Sequence, residues 1–232
     1  EAVIEALIFY RDALAKELGY TSFAHLDLSR QMIKSEWKAE GFLNEIEAKC
    51  QPIARAEYDR LIADLPSGIP LSDEKKLHAF DFPYVMHHYK KKHLRLDEWE
   101  IADYFPMDAT ISGLVRVYEA FFDLDIREEK GCDLWDSDLR VLSVREGGSK
   151  KPLGYIVLDL FPREGKYSNI GHQRIIPPCI LDSGDTLSSL GLLVANFTRP
   201  TQKDPSLLRH EEVTSFFHEF GHALHHVLGA TE

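Results

Sequence analysis

The residues best suited to chemistry are gathered in one short stretch, His218-Glu219-Phe220-Gly221-His222. On an α-helix, His222 lies about 40° round the axis from His218 and about 6 Å further along it, so two imidazoles can converge on one metal ion. Glu219 falls about 100° from His218 and about 60° from His222, beside the metal position rather than on it. A carboxylate there can take a proton from metal-bound water and later pass it to a leaving amine. With His218 at zero, Phe216, Phe220, Ala223, Leu224 and Val227 fall between about 140° and 240°, while His222 and His225 stay within about 40°. One face reads as core and the opposite face as histidine. His225 is about 10 Å along the axis from His218, too far to share its metal. It reads as a substrate-facing or supporting residue, with a plain hydrogen-bonded histidine as the alternative. Gly221 costs about 1 kcal/mol relative to Ala inside a helix, which predicts close approach of another backbone segment. For the motif as a whole, the alternative is an exposed helix face with solvated histidines.

A catalytic zinc usually takes three protein ligands and leaves one position to water. Glu232 is not read as a ligand, so the third is expected from outside this chain, which reads as cut at both ends. The elements that must position the motif follow from periodicity. Ile4, Leu7, Ile8, Leu14 and Leu18 predict a helix ended by Gly19; a second helix starts from Ser22. A third holds Ile46, Ile53, Ala54, Leu61 and Ile62, with Pro52 as a break near its start. Residues 66–70 form a loop, and residues 75–124 are mainly helical, broken at Asp81-Phe82-Pro83 and Tyr104-Phe105-Pro106. The run from His87 to His93 reads as a solvated helix face.

Near Asp138 the period changes. Residues 139–144 and 154–160 predict strands around a Gly147-Gly148-Ser149 turn, and residues 172–180 and 187–198 predict further strands around Asp182-Ser183-Gly184-Asp185. Asp204-Pro205 then offers an N-cap and first position for the motif helix. The expected fold class is mainly α with a small β-sheet (α+β): a helical region over 1–133, a small sheet over 134–200 and the motif helix over 201–232, all parts of one truncated catalytic domain.

Composition narrows the function classes. A net charge of −11 argues against a nucleic-acid binder, which would carry a basic patch. No segment approaches 18 consecutive apolar residues, so no membrane span is expected. Cys50, Cys132 and Cys179 are odd in number and widely spaced, which gives neither a disulfide framework nor a Cys-x-x-Cys site. A reducing compartment is expected, the cytoplasm first and the mitochondrion as alternative.

Phe217-His218-Glu219-Phe220-Gly221-His222-Ala223-Leu224-His225 resembles the active-site helix of the thimet oligopeptidase family of zinc metallopeptidases. The resemblance continues upstream in residues 158–167 (Leu-Asp-Leu-Phe-Pro-Arg-Glu-Gly-Lys-Tyr), in Val194-Ala195-Asn196-Phe197-Thr198 and in Pro205-Ser206-Leu207-Leu208. Leu18-Gly19-Tyr20, Asp81-Phe82-Pro83-Tyr84 and Tyr104-Phe105-Pro106 are weaker echoes. The match is dense from about residue 80 onward and thin before it. It implies a zincin-like helical clamshell with zinc at the floor of a deep channel, acting on short peptides, with one zinc per full-length subunit. His218 and His222 are then zinc ligands and Glu219 the general base. The family's third ligand is a glutamate on the next helix, beyond residue 232, with its transition-state-stabilising tyrosine and histidine further on.

After Lys166-Tyr167 the family tends to have a His-Ala-Ala-like strand that pairs with substrate, where this chain has Ser168-Asn169-Ile170-Gly171-His172-Gln173. Backbone pairing needs no particular side chain, so Gly171 and His172 are candidate substrate-binding residues, with an ordinary edge strand as the alternative. Expected partners are short peptides and the missing C-terminal part of the same polypeptide, with neither nucleic acid nor membrane, and the isolated chain is expected to be inactive. A reading from another class is a catalytically silent helical domain whose histidine face binds a partner. An iron oxygenase with two histidines and one carboxylate fits poorly, because its ligands normally sit on a β-rich scaffold and Glu219 faces beside the metal.

Overall fold

Residues 1–229 are described by a computed structural model; residues 230–232, including Glu232, lie outside the described part. Two units emerge, residues 1–95 and the residues from 96 onward.

The first unit is helical. Helices α1 (Ala2–Glu17), α2 (Phe23–Leu28), α3 (Glu36–Ile62) and α4 (Phe82–Tyr89) follow the predicted order. Gly19 ends the first turn region with φ +82°, a conformation that glycine adopts without a Cβ penalty. Ser22 caps α2, its hydroxyl accepting from the His25 amide at 3.0 Å. Pro52 does not sit near a helix start: it lies inside α3, which runs through it and forgoes the one amide bond proline cannot donate. The histidine- and lysine-rich run leaves α4 in a π-helical turn, Lys90–Leu94. There His93 lies 2.5 Å from Asp64, which also pairs with Lys92.

The second unit holds the site. After α5 (Glu98–Ala102), Pro106 caps α6 (Met107–Phe122), where Met107, Thr110, Ile111 and Leu114 make one buried stripe. Asp123, at φ 54°, stops the helix and turns the chain directly into β1 (Leu124–Glu129). The chain continues through β2 (Arg140–Glu146), β3 (Pro152–Asp159), β4 (Gly171–Ile176), a small hairpin of β5 (Cys179–Ile180) and β6 (Thr186–Leu187), β7 (Ser189–Val194) and α7 (His210–Leu228). The sheet order is β1-β2-β3-β7-β4, antiparallel except for the parallel β3–β7 pair, so β4 is an edge strand. Mixed helix and small sheet agree with the α+β expectation.

Three boundaries differ from the sequence reading. Strand β1 begins ahead of the expected change of period, because on this charged edge strand only Ile126 is buried. Its Glu128 and Glu129 instead pair with Arg140 and Arg145 of β2 at 2.6 and 2.7 Å. The expected strand over 172–180 is split at Pro177-Pro178, which have no amide to give a ladder. Helix α7 starts at His210 rather than at Asp204-Pro205. Residues 206–208 are drawn out by pairing with the start of α6: Met107 donates to the Ser206 carbonyl and Leu208 to that of Phe105, at 2.8 and 2.9 Å. Leu208 is wholly buried by that pairing.

Candidate metal centre

Helix α7 opens with the Glu212 carboxylate folded back onto the Arg209 amide at 2.8 Å, satisfying a donor that the helix ladder leaves free. Val213, Phe216, Phe220, Ala223, Leu224 and Val227 are all buried, packed with β-strand residues such as Ile156, Leu158 and Leu193. This is the apolar seam predicted from the sequence, and each fully buried phenylalanine contributes on the order of 1.5–3 kcal/mol through loss of water contact. With that seam fixed, the opposite face turns outward. His218, His222 and His225 are exposed and Glu219 is half-buried.

Across one turn the Nε2 atoms of His218 and His222 stand 3.0 Å apart, with the rings nearly perpendicular. Two imidazole nitrogens this close either share one proton or share a cation. Zn–N bonds of about 2.0–2.1 Å in a tetrahedron would hold two ligand nitrogens about 3.3 Å apart. The observed spacing therefore fits two nitrogens of one zinc site. Among the described residues no group of three or more His, Cys, Asp or Glu side chains is arranged to hold a metal. The pair supplies two donor nitrogens, fewer than a catalytic zinc usually takes from protein.

Gly221 lies between the two histidines, and its neighbour is a side chain rather than the predicted backbone segment. A Cβ there would stand 3.2 Å from the Tyr118 hydroxyl, which itself donates to the Phe217 carbonyl at 3.0 Å. The glycine lets α6 reach the helix backbone. His225 faces this same side, lining a cavity of about 620 Å³ with Tyr118, Phe122, Gly221 and Leu224.

On the other flank lies β4. Gly171 and His172 pair with Val194 and Leu193 of β7. The His172 ring packs 5.6 Å from that of His226, and burial lowers its pKa to about 4, helped by the positive potential of His226, Arg174 and His222. Its buried Nε2 has no hydrogen-bond partner among the described residues. His226 is a histidine to which the sequence assigns no role. It is 6% exposed, with Nε2 3.0 Å from the Ile176 carbonyl. No spacing signal marks it, since its partner lies 50 residues away.

An ion cluster around the buried Asp159 and Lys166 side chains braces the ends of β3 and β7. Arg163 grips Asp159 with two bonds of 2.6 and 2.7 Å, and Lys166 lies 2.8 Å from the same carboxylate. The Lys166 ammonium also donates to the Phe161 and Ala195 carbonyls, both at 2.6 Å, tying the end of β3 to the end of β7. Burial alone would raise the Asp159 pKa, but the bonds from Arg163 and Lys166 outweigh it and hold the carboxyl below its usual range. Burial pulls the Lys166 pKa down, opposed by Asp159. The cluster occupies the 158–167 segment quoted above.

Known proteins share this arrangement of sequence. The family model described as Peptidase family M3 matches residues 1–232. Saccharolysin of Saccharomyces cerevisiae is 31% identical over 99% of this chain, covering 33% of its own length. A thimet-like oligopeptidase of Dictyostelium discoideum is 30% identical over 97% of the chain and 34% of its own length. Oligopeptidase A of Escherichia coli is 26% identical over 99% and 33% respectively. The chain spans about a third of the length of these curated relatives. With the family match running the whole way along it, the chain belongs to peptidase family M3.

Proposed function

We propose that this chain is the ligand-bearing part of a zinc-dependent oligopeptidase that hydrolyses internal bonds of short peptides. The reading rests on one observation: two imidazole nitrogens 3.0 Å apart on the solvent face of α7, with a carboxylate at the next position. In this scheme His218 and His222 hold the zinc through their Nε2 atoms, and the third ligand comes from a segment outside this chain. Zinc, when bound there, supplies a Lewis acid that polarises a carbonyl and acidifies water. Glu219 takes the proton of the attacking water and delivers it to the departing amine. The edge strand β4 offers backbone at Gly171 and His172 to an extended peptide, which pairs as an added strand. We further propose that the regions 1–133, 134–200 and 201–232 belong to one catalytic domain of the clamshell type. Its compartment would be the cytoplasm or the mitochondrion.

The test is made on the full-length polypeptide with a quenched fluorescent peptide and elemental analysis. Glu219→Gln should keep its zinc and lose about 10²–10⁴-fold in kcat. His218→Ala should lose zinc and cleavage together. Full activity in Glu219→Gln rejects the scheme. Residues 1–232 alone should cleave little or nothing, since two nitrogens are fewer than a catalytic zinc usually takes.

A further inference from the structure

We infer that His226 is a positioning residue, which fastens the edge strand β4 to the helix carrying His218, Glu219 and His222; the inference rests on the peptidase reading above. Strand β4 has the sheet on one side only, and its register against β7 slips between Arg174 and Ile176. At that slip the Ile176 carbonyl faces the His226 Nε2 at 3.0 Å. A carbonyl only accepts, so Nε2 carries the proton and the imidazole tautomer is set by this contact. The ring is 6% exposed, in a place where an apolar side chain would bury at lower cost. The hydrogen bond offsets that cost and leaves β4 attached to α7.

The sheet below is shaped to admit the ring pair. A Cβ added to Gly191 would stand 2.9 Å from the His172 Nε2 and 3.6 Å from the His226 Cδ2. A Cβ at this position in β7 would press on the His172 ring, so the glycine leaves that ring its space where it packs against His226. His226 is also one helical turn beyond His222. The groups proposed to hold the metal and the strand proposed to hold the peptide are therefore linked through the His226 side chain. A misplacement of about 1 Å between substrate and catalytic groups can cost about 10²-fold in rate, so this link acts on turnover more than on binding.

The experiment uses the full-length zinc-loaded polypeptide and reads amide hydrogen exchange beside steady-state kinetics. His226→Phe keeps a ring and removes the donor; His226→Gln keeps a donor of similar reach. In His226→Phe, exchange of the β4 amides should rise about tenfold or more while α7 stays protected and zinc content is unchanged. Its kcat should fall about 10²-fold with KM within about threefold, and His226→Gln should recover most of both. Unchanged β4 exchange in His226→Phe, or equal losses in the two variants, overturns the inference. If His226→Phe fails to fold, exchange in the unaltered protein decides. There β4 and α7 amides should open together, and independent opening of β4 overturns the inference. Absence of any peptide cleavage by the unaltered protein sinks the peptidase reading instead, and the exchange arm still decides whether His226 couples strand to helix.

Discussion

Helix α1 places Ile4, Leu7, Ile8 and Leu14 on one face, much as α7 places Phe216, Phe220, Ala223, Leu224 and Val227. In α7 all five are buried, because the helix lies across β3, β4 and β7. In α1 only Ala15 is buried, and Ile4 and Ile8 are 62% and 63% exposed. Apolar periodicity thus marks where a helix forms and which of its faces is apolar. Whether anything covers that face is a separate matter, settled by the segments that fold beside it. The same holds for polar pairs. Lys16 and Asp12 on α1 meet at 2.6 Å in solvent, while Lys166 and Asp159 meet at 2.8 Å with side chains 3% and 5% exposed.

The contrast can be broken most directly by cutting side chains of each kind. Phe220→Ala should lose about 3–5 kcal/mol of unfolding free energy in denaturant titrations, through lost burial and a cavity. Ile8→Ala should change stability by less than about 0.5 kcal/mol, as exposed substitutions do. Similar losses at both sites would show that α1 is covered in solution. Next in size, Asp159→Asn leaves Lys166 without its counter-charge among three carbonyls and should cost about 3 kcal/mol. Asp12→Asn should leave the denaturation midpoint where it was.

A smaller effect is expected beside the ligand pair. Gly221→Ala gains about 1 kcal/mol in helix propensity but presses on the Tyr118 hydroxyl. The same substitution should therefore be more favourable in a Tyr118→Phe background, by roughly 1 kcal/mol in a double-mutant cycle. Additivity would mean that the hydroxyl moves aside freely.

Smallest is the acid response of the partly exposed His172. Its folded pKa, about 4, is below the usual imidazole value of 6.5, so the unfolded chain binds a proton more readily than the native one. Its contribution is full above about pH 6.5 and is lost progressively as pH falls toward 4. The metal-free protein should accordingly show a melting temperature that drops less steeply over this window in His172→Asn than in the unaltered chain. Parallel curves would remove burial of the imidazole as the cause.

Several features of the molecule are local and could be read before folding was considered. Gly19 and Ser22 end and cap helices through their own backbone and hydroxyl chemistry. Pro106 marks the start of α6, and the turn at residues 147–149 separates β2 from β3. That the histidines share one helix face follows from 3.6-residue geometry alone. Other features escaped. The start of α7 was misread because Asp204-Pro205 has the chemistry of a helix start, yet the pairing of residues 206–208 with Phe105 and Met107 outweighs it. Strand β1 escaped because one buried isoleucine among charges makes no alternating pattern.

By itself, the sequence determined that a helix would carry two imidazoles and a carboxylate on one face and a phenylalanine-rich seam on the other. That information is contained in spacing, and spacing is a property of the chain. Only tertiary structure decided what surrounds that helix: Tyr118 on the Phe217 carbonyl, His226 on the Ile176 carbonyl, and Lys166 on the Ala195 carbonyl. Each of these joins residues 29 to 99 positions apart. A hydrogen bond over such a separation depends on how the sheet and helices pack, which no local period encodes.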